Sequence, residues 1–172
     1  ASARPANFIG IHFFSPVDKM MLVEIIRGKQ TGDRAVAKAL DFVRQLRKTP
    51  IVVNDSRGFY TSRCFATYVR EGMELLSEGV KPALIENAAK MAGMPVGPFA
   101  VHDEVTIDLS YKIMKQTRRD MGDDYVATAA DGVIVRFVEE FKRPGKRFGA
   151  GFYEYPDEGK KFLWPGLAEA FP

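Results

Sequence analysis

Cysteine is almost missing from this chain: Cys64 is the only one among 172 residues. A single thiol excludes an intrachain disulfide framework and fits a reducing compartment, so a cytoplasmic location is expected. Histidine is nearly as scarce, with only His12 and His102. So few ligands, without tight spacing, argue against a metal site. No apolar run approaches the roughly 18 residues that a membrane helix needs. The net charge is only +3, and the basic residues are spread out rather than clustered with aromatics. That argues against a nucleic-acid partner and permits weak attraction to anionic small molecules. A G-x-G-x-x-G phosphate loop is absent as well. Gly149-Ala150-Gly151 lacks the third glycine, a preceding β run and a following helix.

What is present is the composition of a folded chain, 46% hydrophobic and 27% charged, long enough for one ordinary domain or two small ones. Its organising stretch is GIHFFSPVDKMMLVEII, Gly10 to Ile26. Two short apolar runs, Phe8 to Phe14 and Met21 to Ile26, flank a polar link containing Pro16, and such runs indicate buried strands. Each carries one misfit, His12 in the first and Glu24 in the second, placed symmetrically about Asp18. If the strands fold back there, the two side chains become cross-strand neighbours on one face. A carboxylate beside an imidazole fixes its tautomer and ring direction, the base-plus-orienter geometry of acid–base catalysis. A lone core histidine is the plainer reading of His12, but an ionisable Glu inside the adjacent apolar strand needs a partner.

Downstream, Val36, Leu40, Val43 and Leu46 mark a helix from Ala35 to Lys48, and Pro50 to Val53 is a short strand. Asn54 to Gly58 breaks the pattern, and helices dominate after it. The spacing predicts helices from about Phe59 to Glu78 (inward Phe65, Val69, Gly72, Leu76), from Pro82 to Ala92 (Ile85, Ala88, Ala89), from Pro98 to about Lys115 (Val101, Val105, Met114) and from Gly132 to Phe141. GFYEY and KFLW flank Pro156 to Gly159 and suggest a hairpin or strand-like tail. His102 reads as an ordinary surface or core histidine, and Cys64 as a buried cysteine on a helix face, with a thiol activated by the neighbouring Arg63 as the alternative.

Four motifs occur in a telling order: HFFSP with LVEII, DSRGFYTSR (Asp55 to Arg63), MPVGPF (Met94 to Phe99) and GAGFYEYP (Gly149 to Pro156). Together they resemble the 3-hydroxyacyl-CoA dehydrogenase family from about Phe8 onward. The ending GKKFLWPGL looks most like the multifunctional fatty-acid β-oxidation proteins, in which the dehydrogenase is fused to an enoyl-CoA hydratase. The resemblance implies an α/β remnant of a Rossmann domain followed by an all-α domain similar to the 6-phosphogluconate dehydrogenase C-terminal-like dimerisation domain. The expected boundaries are 1–55 for the strands of the dinucleotide-binding domain, 56–157 for the helical domain and 158–172 for a tail or linker.

The implied activity is NAD-dependent oxidation of the 3-hydroxyl of an acyl-CoA, with NAD bound by the complete enzyme and this fragment inactive alone. His12 is then the general base and Glu24 its partner. Ser62 stands where the family usually has an Asn that holds substrate; its hydroxyl is shorter and cannot offer the amide's donor–acceptor pair. Gly97 and Pro98 shape the acyl pocket, Ser15 lies near the nicotinamide, and Arg147 is placed to reach a dinucleotide phosphate. A homodimer is expected, with Ile134, Phe137, Val138 and Phe141 as its apolar helix face and the first strand partly bare. Two alternatives stay open: a non-catalytic helical association module, and a related dehydrogenase acting on another hydroxy acid.

Overall fold

The computed structural model describes residues 2–172. Two units emerge, Ala1–Phe65 and Ala66–Pro172. The first holds β1 (Gly10–Phe13), β2 (Leu22–Arg27), α1 (Asp33–Gln45) and β3 (Thr49–Asn54). β1 pairs antiparallel with β2 in the register His12↔Glu24, as the symmetry about Asp18 predicts. β2 pairs parallel with β3, and α1 makes the crossover. Side chains alternate across the sheet. One face sends Ile11, Phe13, Val23 and Ile25 onto Ala39 and Val43 of α1. Fully burying such a side chain contributes about 1.5–3 kcal/mol. His12 and Glu24 occupy the other face. The strand starts later than its apolar run: Phe8 lies outside β1 and is largely exposed. On α1 the inward residues are Ala35, Ala39 and Val43, whereas Leu46 follows the helix end and points to solvent.

The second unit is mostly helical. α2 (Thr61–Ser77) begins at the end of the first unit and continues into it. α3 (Pro82–Met91), α4 (Pro98–Val105), α5 (Ile107–Met121) and α6 (Ala129–Val135) follow, and a π turn at Arg136–Glu140 extends α6. A short hairpin of β4 (Tyr153–Glu154) and β5 (Phe162–Leu163) closes the chain with α7 (Leu167–Ala170). Residues 158–172 are therefore structured, and Leu167 is fully buried. Among the described residues, no helix is long and apolar enough to cross a membrane.

Several expected faces turn out rotated. The single helix from Pro98 to Lys115 is two helices. Thr106 takes a left-handed φ of +73°, and its hydroxyl accepts the Leu109 N–H to start α5. The buried side of α4 is Phe99, Ala100, His102 and Asp103; Val105 is exposed. On α3, Ile85 and Glu86 point inward while Ala88 is exposed, because the Glu86 carboxylate has partners there. On α2, Met73 rather than Phe65 completes the buried face of Val69, Gly72 and Leu76. The apolar stripe expected to meet a second copy is largely consumed within the unit. Phe137 is fully buried against Phe152, with Phe141, Trp164 and Phe171 around it, and Ile134 is buried too.

Two buried carboxylates organise this unit. Glu86 Oε1 accepts the Phe99 N–H at 2.7 Å and the Ala100 N–H at 3.3 Å at the start of α4, and its other oxygen accepts the Tyr153 hydroxyl at 2.6 Å. Gly97 must be glycine: a Cβ there would sit 2.2 Å from Glu86 Oε2. Asp103 accepts the Phe152 and Tyr153 N–H groups, both at 2.9 Å, and the Tyr155 hydroxyl at 2.8 Å. Burial pushes its carboxyl above the ordinary value, and these three donors only partly offset that.

Candidate active site

β1 and β2 place His12 and Glu24 side by side. His12 Nδ1 lies 2.8 Å from Glu24 Oε2. The acid is fully buried, while the His12 side chain keeps 35% of its surface exposed. Glu24 is ionisable, so His12 Nδ1 carries the proton in this bond and Nε2 is the nitrogen left for an external group. Phe14 and Phe59 flank the imidazole, with ring centroids at 4.6 and 5.9 Å.

The second oxygen of Glu24 does something that sequence spacing hides. Oε1 accepts the Tyr60 N–H at 3.0 Å and the Thr61 N–H at 2.9 Å. Those amides open α2, 36 and 37 residues downstream, where unpaired N–H groups and the helix dipole favour an anion. Burial alone would raise the Glu24 pKa. The Thr61 N–H, the His12 ring, the Thr61 hydroxyl and the Tyr60 N–H together outweigh it and hold the carboxyl below its ordinary value. The acid thus stays ionised beside the imidazole.

The remaining site residues lie on other elements. Ser15 is exposed just beyond β1, and Ser62 is exposed in the first turn of α2. Gly97 and Pro98 are buried at the start of α4, the first against Glu86 and the second against Gly72. Arg147 is exposed in a short turn before Gly149. Cys64, expected to be buried, is instead exposed on the outer side of α2, and His102 is fully buried. An open cavity of about 410 Å³ in the first unit is lined by residues 51–54 with Ser56, Phe59, Tyr60 and Arg63. His12 and Glu24 do not line it, so shape alone would point beside the chemistry rather than at it. The unpaired amides of a Gly-rich helix entry between Asp55 and Arg63 are legible in the sequence, but not that Glu24 accepts them, nor the rings beside His12, nor the parts played by Glu86 and Asp103. Phe99, His102 and Asp103 share a helical face by spacing, and counting the register of α4 from Phe99 instead of Val101 would have exposed the last of these.

An α/β strand unit bearing a paired histidine and acid, joined to a helical unit, is a dehydrogenase-like plan. The sequence matches the NAD binding domain of the 3-hydroxyacyl-CoA dehydrogenases over residues 1–56 and their C-terminal domain over residues 58–155. This chain belongs to the 3-hydroxyacyl-CoA dehydrogenase family. It is 42% identical over 161 residues to the fatty acid oxidation complex subunit alpha of Shewanella frigidimarina, and 40% identical to that of Shewanella oneidensis. Each alignment covers 94% of this chain and 22% of the relative, so the chain spans about a fifth of those proteins. Among solved structures, the (S)-3-hydroxybutyryl-CoA dehydrogenase of Ralstonia eutropha superposes with a TM-score of 0.80 at 32% identity, covering 91% of this chain and 55% of that one. These likenesses bear out the expected α/β remnant followed by a helical domain.

Proposed function

We propose that this chain is the catalytic-base segment of an NAD-dependent 3-hydroxyacyl-CoA dehydrogenase of fatty-acid β-oxidation, with a 3-hydroxyacyl-CoA as substrate. The observation that carries the reading is the His12–Glu24 pair: one imidazole nitrogen tied to a buried carboxylate at 2.8 Å, the other left toward solvent. Family membership and the similarity to fatty acid oxidation subunits support it. His12 Nε2 takes the proton from the substrate 3-hydroxyl as the carbonyl forms. Glu24 keeps Nδ1 protonated, holds the ring direction and stabilises the resulting imidazolium.

NAD supplies the hydride-accepting chemistry in the complete enzyme. This chain contributes no glycine-rich loop for its phosphates, so on its own it should neither hold the cofactor tightly nor turn over. Ser15, beyond β1, and Arg147 remain the residues we assign to the cofactor side. Ser62, Gly97 and Pro98 are assigned to the acyl side, the buried pair acting only through the helix start they shape. We place the functional boundary at Asp55/Ser56, close to where the two family matches part. A cytoplasmic location and a homodimer complete the reading. With Ile134 and Phe137 buried, the apolar residues open to a second copy include Leu84 and Met91 on α3 and Leu109 and Ile113 on α5. A monomer mass by light scattering across a dilution series would exclude that dimer.

The decisive experiment is His12→Ala in the complete enzyme. We expect kcat to fall about 10²–10⁴-fold with KM little changed, as for loss of a general base. Near-wild-type turnover in a folded variant would return His12 to a structural histidine.

A further inference from the structure

We propose that the turn from Gly58 to Thr61 positions the His12–Glu24 pair, with Phe59 and Thr61 as its positioning residues. This rests on the reading of His12 as the base and adds a cause for its orientation. The turn has an unusual backbone. Gly58 and Phe59 are both left-handed, at φ +75° and +48°. For Gly58 that conformation is permitted; for Phe59 it is disfavoured by about 1–2 kcal/mol and persists only where surroundings impose it. The Phe59 N–H closes the turn on the Ser56 carbonyl at 2.9 Å.

Two consequences follow from that backbone. The next two amides, of Tyr60 and Thr61, converge on one oxygen of Glu24, at 3.0 and 2.9 Å. Successive N–H groups in such a turn form a concavity suited to an anion. With Oε1 taken twice, only Oε2 is left for His12 Nδ1, and the carboxylate cannot rotate without breaking both bonds. The Phe59 ring, meanwhile, joins that of Phe14 against the imidazole, with ring centroids at 5.9 and 4.6 Å. The same four residues therefore limit the acid's rotation and supply a ring that contacts the base. Ionisation of Glu24, favoured by these amides, keeps it an acceptor and so fixes which His12 nitrogen bears the proton.

Thr61 offers a clean test. It is the first residue of α2, a position where proline is tolerated because its missing N–H has no helical partner. Thr61→Pro deletes the N–H to Glu24 together with the buried hydroxyl beside that acid; Thr61→Val keeps the N–H and drops only the hydroxyl. The two histidine rings of the ¹⁵N-labelled 172-residue chain are read by NMR, with His12→Gln assigning the signals. The expected result is a single His12 tautomer, proton on Nδ1, in the parent and in Thr61→Val, and a tautomer mixture in Thr61→Pro. In the complete enzyme Thr61→Pro should lower kcat about 10-fold while KM moves less than about 2-fold, the signature of a lost orienting contact. An unchanged His12 spectrum in folded Thr61→Pro overturns the inference. If that variant does not fold, Phe59→Gly answers the same question: it relieves the backbone and removes the ring, a more mobile imidazole is expected, and a parent-like spectrum overturns the proposal. Failure of the functional reading is separable, because wild-type turnover in His12→Ala would leave these ring spectra as they are.

Discussion

Glu24 and Glu86 are the same device built twice. Each is buried, each gives one oxygen to two N–H groups at the start of a helix, and each gives the other oxygen to an aromatic side chain. The partner is His12 for Glu24 and Tyr153 for Glu86. What separates them is where that partner leads. Tyr153 is buried, and its hydroxyl is pushed up well beyond the ordinary phenol range by burial and by Glu86, so it stays a proton donor and never titrates usefully. The His12 ring reaches solvent with a nitrogen to offer. A carboxylate clamping a helix start is a structural element in both places. It becomes chemistry only where its second oxygen orients an accessible group that can gain and lose a proton.

The largest test of this comparison is Glu86→Leu. It strands two amides and a hydroxyl in a dry interior, and each stranded donor costs about 1–3 kcal/mol. We expect a loss of at least about 3 kcal/mol by urea unfolding of the second unit. A loss below about 1 kcal/mol would mean that Glu86 is incidental and the likeness to Glu24 superficial.

Acid should reveal the next difference. Burial depresses the His102 pKa to about 4, and the ring has Ser110 Oγ as partner on Nε2 while its Nδ1 is buried without one. The folded state binds its proton later than the unfolded chain does. His102 is therefore neutral and harmless above pH 6.5, and its neutrality becomes a liability as pH falls from 6.5 toward 4. The slope should approach about 1.4 kcal/mol per pH unit, or about 3 kcal/mol in all. Asp103 works in the opposite sense: its raised folded-state pKa means that its protonation on acidification favours the fold. Glu24, held below the ordinary carboxylate value, adds stability that is lost only at still lower pH. Urea midpoints measured from pH 7.5 to 4.5 should fall for the parent and flatten for His102→Gln; identical slopes would refute the assignment.

The smallest effect on stability, and the most telling, is expected for Glu24→Gln. The amide oxygen still accepts from Tyr60 and Thr61, so the fold should lose only about 1 kcal/mol. The amide is neutral and cannot stabilise an imidazolium, so kcat of the complete enzyme should drop at least about 10-fold with KM nearly unchanged. A variant that lost stability and turnover in equal proportion would erase the distinction drawn between the two acids.

The sequence alone determined the local part of this picture. Alternation in two short runs around Asp18 specifies a hairpin, and that register alone brings His12 opposite Glu24. Helical spacing placed α1, α2 and α3 within three residues of their ends, because those patterns depend on periodicity and terminal signals within one segment. Four motifs in family order were enough for the family itself. What only the tertiary structure decided is where buried polar groups find partners. Glu24 meets amides 36 and 37 residues away, and Glu86 meets Tyr153 across 67. Asp103 meets Phe152 and Tyr153 across 49 and 50. Apolar burial leaves a periodic trace along the chain because it is non-directional. A hydrogen bond to a buried carboxylate is directional, and its donors are assembled only once distant segments have packed.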